Sequence, residues 1–144
     1  MIERYDSVVI EVVARAMVPP VQVFALYVIT HGHYGPGGGF QGGVILAVSV
    51  LLLRLSLGKA RSDQLFPPVL ANCLAAIGML IYVLAGLVPL LLGAEFLNYA
   101  YLPVPGVSGP ALRSTGILIV ELGIGLSVCG TMVTIFDWLT RSGR

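Results

Sequence analysis

The sequence predicts an all-α, polytopic membrane protein with four transmembrane helices and both termini in the cytoplasm. Three observations predict it. Of 144 residues, 57% are hydrophobic and only 10% charged, and the mean hydropathy is +0.95. Soluble domains carry about 25% charged residues, so a water-facing shell cannot be covered here. Four apolar stretches are each long enough to cross a bilayer core of about 30 Å, which takes roughly 20 helical residues. The basic residues gather in alternate loops. Together these exclude a soluble enzyme, a nucleic-acid binder and a disordered chain. They describe one membrane domain over 1–144, with spans at about 7–30, 40–57, 67–92 and 112–139.

The first span opens at Asp6 or Ser7, either of which can cap a helix. Glu11 precedes Arg15 by one helical turn, the favourable order for an ion pair. The pair can be structural, or it can belong to an ion route. Pro19-Pro20 interrupts the span and predicts a bend, because two N–H donors are missing. Such a bend can shape packing, or with Gln22 it can open a polar cavity.

The turn after the first span is HGHYGPGGGFQGG, from His31 to Gly43. It matches no phosphate-binding pattern. The His31-x-His33 pair lacks further ligands at metal spacing, so neither a metal nor a cofactor is expected. Pro36, Gly37, Gly38 and Gly39, followed by Phe40, define a tight turn whose backbone is accessible mainly to glycine. Gly42 and Gly43 open the second span and allow close helix contact. The segment is either a plain outer turn or the polar mouth of an ion path. In the second case His31, His33 and Gln41 can exchange protons or hydrate a cation.

Arg54, Lys59 and Arg61 surround the second connection, Arg4 lies near the N-terminus, and Arg141 and Arg144 near the C-terminus. By the positive-inside rule these ends face the cytoplasm, with Trp138 at the inner interface and Tyr34, Tyr99 and Tyr101 at the outer one. The third connection, from Gly93 to Pro110, contains Pro103, Pro105 and Pro110 and predicts no regular helix. Cys73 and Cys129 both fall in apolar runs and are expected to be buried free thiols.

Glu121 in the fourth span is the sharpest signal. It lies about 13.5 Å beyond Leu112 at 1.5 Å per residue, near mid-bilayer, where an acid is costly and rarely faces lipid. Gly116, Gly123, Ser127, Gly130 and Thr134 form a small-residue stripe on this helix. Glu121 points about 140° away from that stripe, beside Gly125. The helix therefore has one face for packing and another carrying an acid. Glu121 is either a hydrogen-bonded packing residue or an ion-path element.

Two segments resemble a known family. LYVITHGHYGPGGGFQGGVILA (Leu26–Ala47) and TGILIVELGIGLSVCGTMVTIFDWL (Thr115–Leu139) are similar to the B subunit of Mrp/Mnh multisubunit sodium/proton antiporters. The resemblance implies a small four-helix subunit in the inner (cytoplasmic) membrane. Its expected partners are the large A-type subunit, other small membrane subunits, Na⁺, H⁺ and the lipid bilayer. The implied function is Na⁺ efflux coupled to H⁺ uptake, with Glu121, Glu11, Arg15, His31, His33 and Gln41 as ion-path candidates. Similar subunits also occur in the sodium-translocating modules of membrane-bound hydrogenases and related respiratory complexes, which leaves a redox-driven parent open. A purely structural assembly subunit is the rival from another class. The chain is expected to be a transporter subunit rather than an enzyme. It offers few oxygens at one depth, so any bound Na⁺ is expected to be shared with another subunit.

Overall fold

The computed structural model describes residues 7–32 and 37–142. His33, Tyr34 and Pro36 of the glycine-rich turn, and Arg4 and Arg144 of the termini, lie outside the described residues. The described residues are helical with no strand. They form α1 (Val8–His31), α2 (Gly39–Leu57), α3 (Lys59–Leu65), α4 (Pro68–Leu91) and α5 (Pro110–Ser142). Four of these, all but α3, are long and apolar enough to cross a membrane.

The boundaries follow local chemistry. Ser7 stands at the cap of α1, where its carbonyl accepts from the Glu11 N–H at 3.2 Å. The helix continues through Pro19 and Pro20, both on its exposed face. Gly58, with φ of 73°, supplies the left-handed residue that ends α2 and turns the chain into α3. Pro68 and Pro110 each stand at the first turn of a helix, where the missing N–H has no intrahelical partner to lose.

Successive long helices run antiparallel, but their spatial order differs from their chain order. α4 packs on α5, α5 on α2, and α2 on α1. The row reads α1, α2, α5, α4, and α1 reaches α5 through a smaller contact. The two inner helices are therefore the more buried, and most of α1 and α4 faces outward. The core is built of small side chains: Ala47, Val50, Ala71, Cys129 and Val133 are all buried together. Small residues let helix backbones approach closely, which is how helices associate where lipid gives no hydrophobic drive.

The helices α1, α2, α4 and α5 begin and end within a few residues of the apolar stretches in the sequence. Two elements are additional. The basic second connection contains the short helix α3, and the proline-rich third contains a 3₁₀ turn at Tyr99–Tyr101. This third connection folds back on the helices: Phe96 fills the notch at Gly86, and Tyr99 covers Gly116. Cys129 is buried as expected, whereas Cys73 lies on the outward face of α4. Its apolar run surrounds it in sequence, but helical periodicity turns it away from α5.

Candidate ion site

The two faces predicted for α5 are both occupied. The small-residue stripe meets α4. A Cβ on Gly78 would come within 2.9 Å of the Ser127 Cα, and one on Gly130 within 3.1 Å of the Ala75 Cα. Thr134 Oγ1, at the end of the stripe, donates to Asn72 Oδ1 at 2.9 Å. The opposite face, with Glu121 and Gly125, meets α1 and α2. A Cβ on Gly43 would lie 3.0 Å from the Gly125 Cα, and one on Gly125 would lie 2.9 Å from Ile29 Cδ1.

Glu121 sits where the glycine-rich turn closes on α5. A Cβ on Gly32 would stand 2.6 Å from Glu121 Oε1 and 2.9 Å from Oε2. One on Gly38 would stand 3.2 Å from Oε1, and one on Gly39 would stand 2.8 Å from the Glu121 Cα. The glycines at these positions are therefore spatial requirements, since any side chain would displace the carboxylate or the helix that carries it. Gly39, Gly42 and Gly43 are buried. Phe40 is exposed, and Gly37 lies beside Val28 and Gln41. The result is a carboxylate cradled by backbone.

The other candidates divide between the two ends of the bundle. His31 ends α1 near this cradle but is exposed and turned along its own helix. Its ring stacks on Tyr27 at 4.2 Å, and its Nδ1 lies 3.2 Å from the Tyr27 carbonyl and from Thr30 Oγ1. Gln41 is exposed on the first turn of α2, with Oε1 beside Gly37. Glu11 and Arg15 do pair, at 3.5 Å, but at the far end, where Glu11 also accepts from Arg61 Nη1 at 3.1 Å.

That far end carries a charged belt whose basic residues, in the sequence, signal only orientation. Arg54 is completely buried. Its Nη1 donates to Asp63 Oδ1 and, at 3.0 Å, to Ser62 Oγ. Its Nη2 donates to the Phe66 carbonyl and to Asp137 Oδ2, both at 3.0 Å. The available signal is a coincidence of depth: when successive spans alternate in direction, a basic residue ending the second and an acid ending the fourth lie at the same end of the bundle. Counted from Asp137 at 1.5 Å per residue, Glu121 stands about 24 Å along α5. It is level with Gly32 and Gly38, on either side of the α1–α2 connection.

Tyr99 is a further neighbour not anticipated from sequence. Burial pushes its phenol above the ordinary 10.0, and the charges of Tyr82 and Glu121 add to the rise. Tyr99 therefore stays protonated and a potential donor throughout the neutral range. Its proton is held more tightly in the fold, so its contribution to stability is present below pH 10 and is lost as pH rises past that value. A spectrophotometric titration should show a late-ionising tyrosine that Tyr99→Phe removes. Glu121→Gln should bring that late midpoint down.

An all-helical chain with four helices long and apolar enough to cross a membrane defines a class, the polytopic membrane proteins. The particular family follows from comparison. Residues 9–134 match the family model described as the domain related to the MnhB subunit of Na⁺/H⁺ antiporter. The chain is 30% identical over 139 residues to the B subunit of the Bacillus subtilis Na⁺/H⁺ antiporter, covering 94% of each protein. It is 34% identical over 134 residues to a Staphylococcus haemolyticus protein that carries the name antiporter subunit mnhB2, covering 92% of this chain and 93% of the relative. A Staphylococcus aureus protein of the same name is 32% identical over 141 residues, covering 97% of each. The chain belongs to the MnhB family.

Proposed function

We propose that this chain is the B-type membrane subunit of a multisubunit cation/proton antiporter, and that Glu121 is an ionisable element of its ion path. The named relatives support the complex. The glycine cradle supports the role of Glu121. A carboxylate kept only for packing would be surrounded by side chains that fill space, whereas here three glycines bring bare backbone to it. The charged belt, with Arg15, Arg54, Lys59 and Arg61, faces the cytoplasm by the positive-inside rule. That orientation supports an inner-membrane protein with Glu121 toward the outer side. The large A-type subunit and the other small subunits would cover the outward faces of α1 and α4.

The test is Glu121→Gln in the whole complex, assayed for Na⁺-dependent proton movement in membrane vesicles. The expected result is a complex of normal subunit composition whose exchange falls to the level of vesicles lacking it. Normal exchange would overturn the reading and leave a structural assembly role.

A further inference from the structure

Asp137 lies outside the Glu121 site and has an arrangement of its own. It is only 5% exposed. Its Oδ2 accepts from Arg54, and its Oδ1 faces Lys59 Nζ at 3.5 Å. The same ammonium stands 3.3 Å from Asp63 Oδ2. Arg54 is fixed by four acceptors, but Lys59 bridges two carboxylates loosely on a flexible stem, with its side chain 32% exposed. Two cations thus balance two acids, and one of the cations can move.

Asp137 also lines a small cavity, about 90 Å³, together with Pro68, Asn72, Thr134 and Trp138. The volume suits roughly two or three waters, and its walls carry the polar partners that water requires. Because Thr134 gives its hydroxyl proton to Asn72, its oxygen keeps lone pairs for another donor or a cation. Asp137, Thr134 and Asn72 therefore line one polar pocket shared by α4 and α5. Hard cations take oxygen ligands and retain water where the protein supplies too few.

We propose that this pocket is an entry site for a monovalent alkali cation at the charged end of the bundle, with the Lys59 ammonium as its built-in competitor. When Lys59 moves wholly to Asp63, Asp137 Oδ1 becomes available, and the incoming ion meets three protein oxygens and pocket water. When the ion leaves, Lys59 returns. Neutrality of the four-charge group keeps the site weak, which suits passage rather than storage. The inference rests on the transport reading above.

The experiment uses the assembled complex in vesicles, with Na⁺ varied at the face that carries α3, and separates KM from kcat. Lys59→Met should lower KM for Na⁺ about fivefold, the factor that corresponds to a partly screened ion pair of ~1 kcal/mol. Thr134→Val should raise KM severalfold with kcat retained. Only loss of a competitor lowers KM, whereas damage to the fold lowers abundance or rate. An unchanged or raised KM in Lys59→Met, or an unchanged KM in Thr134→Val, overturns the proposal. Glu121→Gln in the same vesicles separates the two failures. If it abolishes exchange while Lys59→Met leaves KM unmoved, the entry site alone falls. If exchange survives, the transport reading falls with it.

Discussion

Replacing Arg54 with Met is expected to strip most of the subunit from the membrane and to lower the thermal midpoint of what remains in the detergent-solubilised complex. Arg54 is completely buried and joins α2 to α3 through Asp63, Ser62 and the Phe66 carbonyl, and to α5 through Asp137. Removing it leaves Lys59 alone to face two carboxylates, one of them buried. Breaking a buried ion pair by deleting one partner costs about 3–5 kcal/mol, because the surviving charge stays desolvated. That is a large part of the roughly 5–15 kcal/mol that holds a typical domain together. Arg54→Lys should recover only part of the loss, since an ammonium lacks the planar fork that reaches four acceptors at once. Arg54→Met combined with Asp137→Leu should recover more. It restores neutrality, with Lys59 opposite Asp63, and replaces a buried pair by apolar groups. Immunoblots of membrane fractions and thermal melts of the complex would check the order: wild type, double variant, Arg54→Lys, Arg54→Met.

The second large effect is expected at Gly39. An added methyl there collides with the Glu121 backbone. Helix backbone cannot yield as a side-chain tip can, so α2 must move off α5. Overpacking of this kind costs typically 1–3 kcal/mol. Gly78→Ala, on the other face of α5, meets Ser127 and Gly123 backbone at similar range and should cost a similar amount. The two variants should nevertheless differ in function. Gly39→Ala disturbs the cradle around Glu121, whereas Gly78→Ala disturbs the α4 seam. Equal losses of thermal stability with a much greater loss of exchange in Gly39→Ala would tie the cradle to transport. Equal losses of both would leave only packing.

How much of this was legible in the sequence depends on the range of the interaction. Hydropathy located the four long helices because each span satisfies the bilayer on its own. The 3.6-residue period placed Glu121 opposite the Gly116–Thr134 stripe, and α4 and α2 do occupy those two faces. The Glu11–Arg15 pair was visible because it is local. Helix α3 was not, since seven residues with four polar or charged side chains among the first five read as a loop. The Arg54–Asp137 bond joins residues 83 apart in the chain, and only the packing of α2 on α5 brings them together. His31 shows the opposite limit. Its position at the end of α1 was foreseeable, but stacking on Tyr27 turns its ring along the helix, and spacing alone carries no such information.

The uneven heights of the helices have an electrical consequence. The helical backbone of α1 ends at His31 and that of α2 begins at Gly39, level with Glu121, while α4 and α5 continue past them. If the charged belt marks one edge of a slab of about 30 Å, Glu121 stands about 24 Å from it, and a charge arriving from the nearer side would cross roughly a fifth of the membrane. The remaining four-fifths of the voltage drop then falls between Glu121 and the belt. A potential of 100 mV is worth about 2.3 kcal/mol per elementary charge over the full thickness. An ion or proton moving on the Glu121 side would hardly sense the membrane potential, and one moving between Glu121 and the belt would sense most of it. Voltage dependence would therefore enter transport along the longer stretch, where α2 packs on α5.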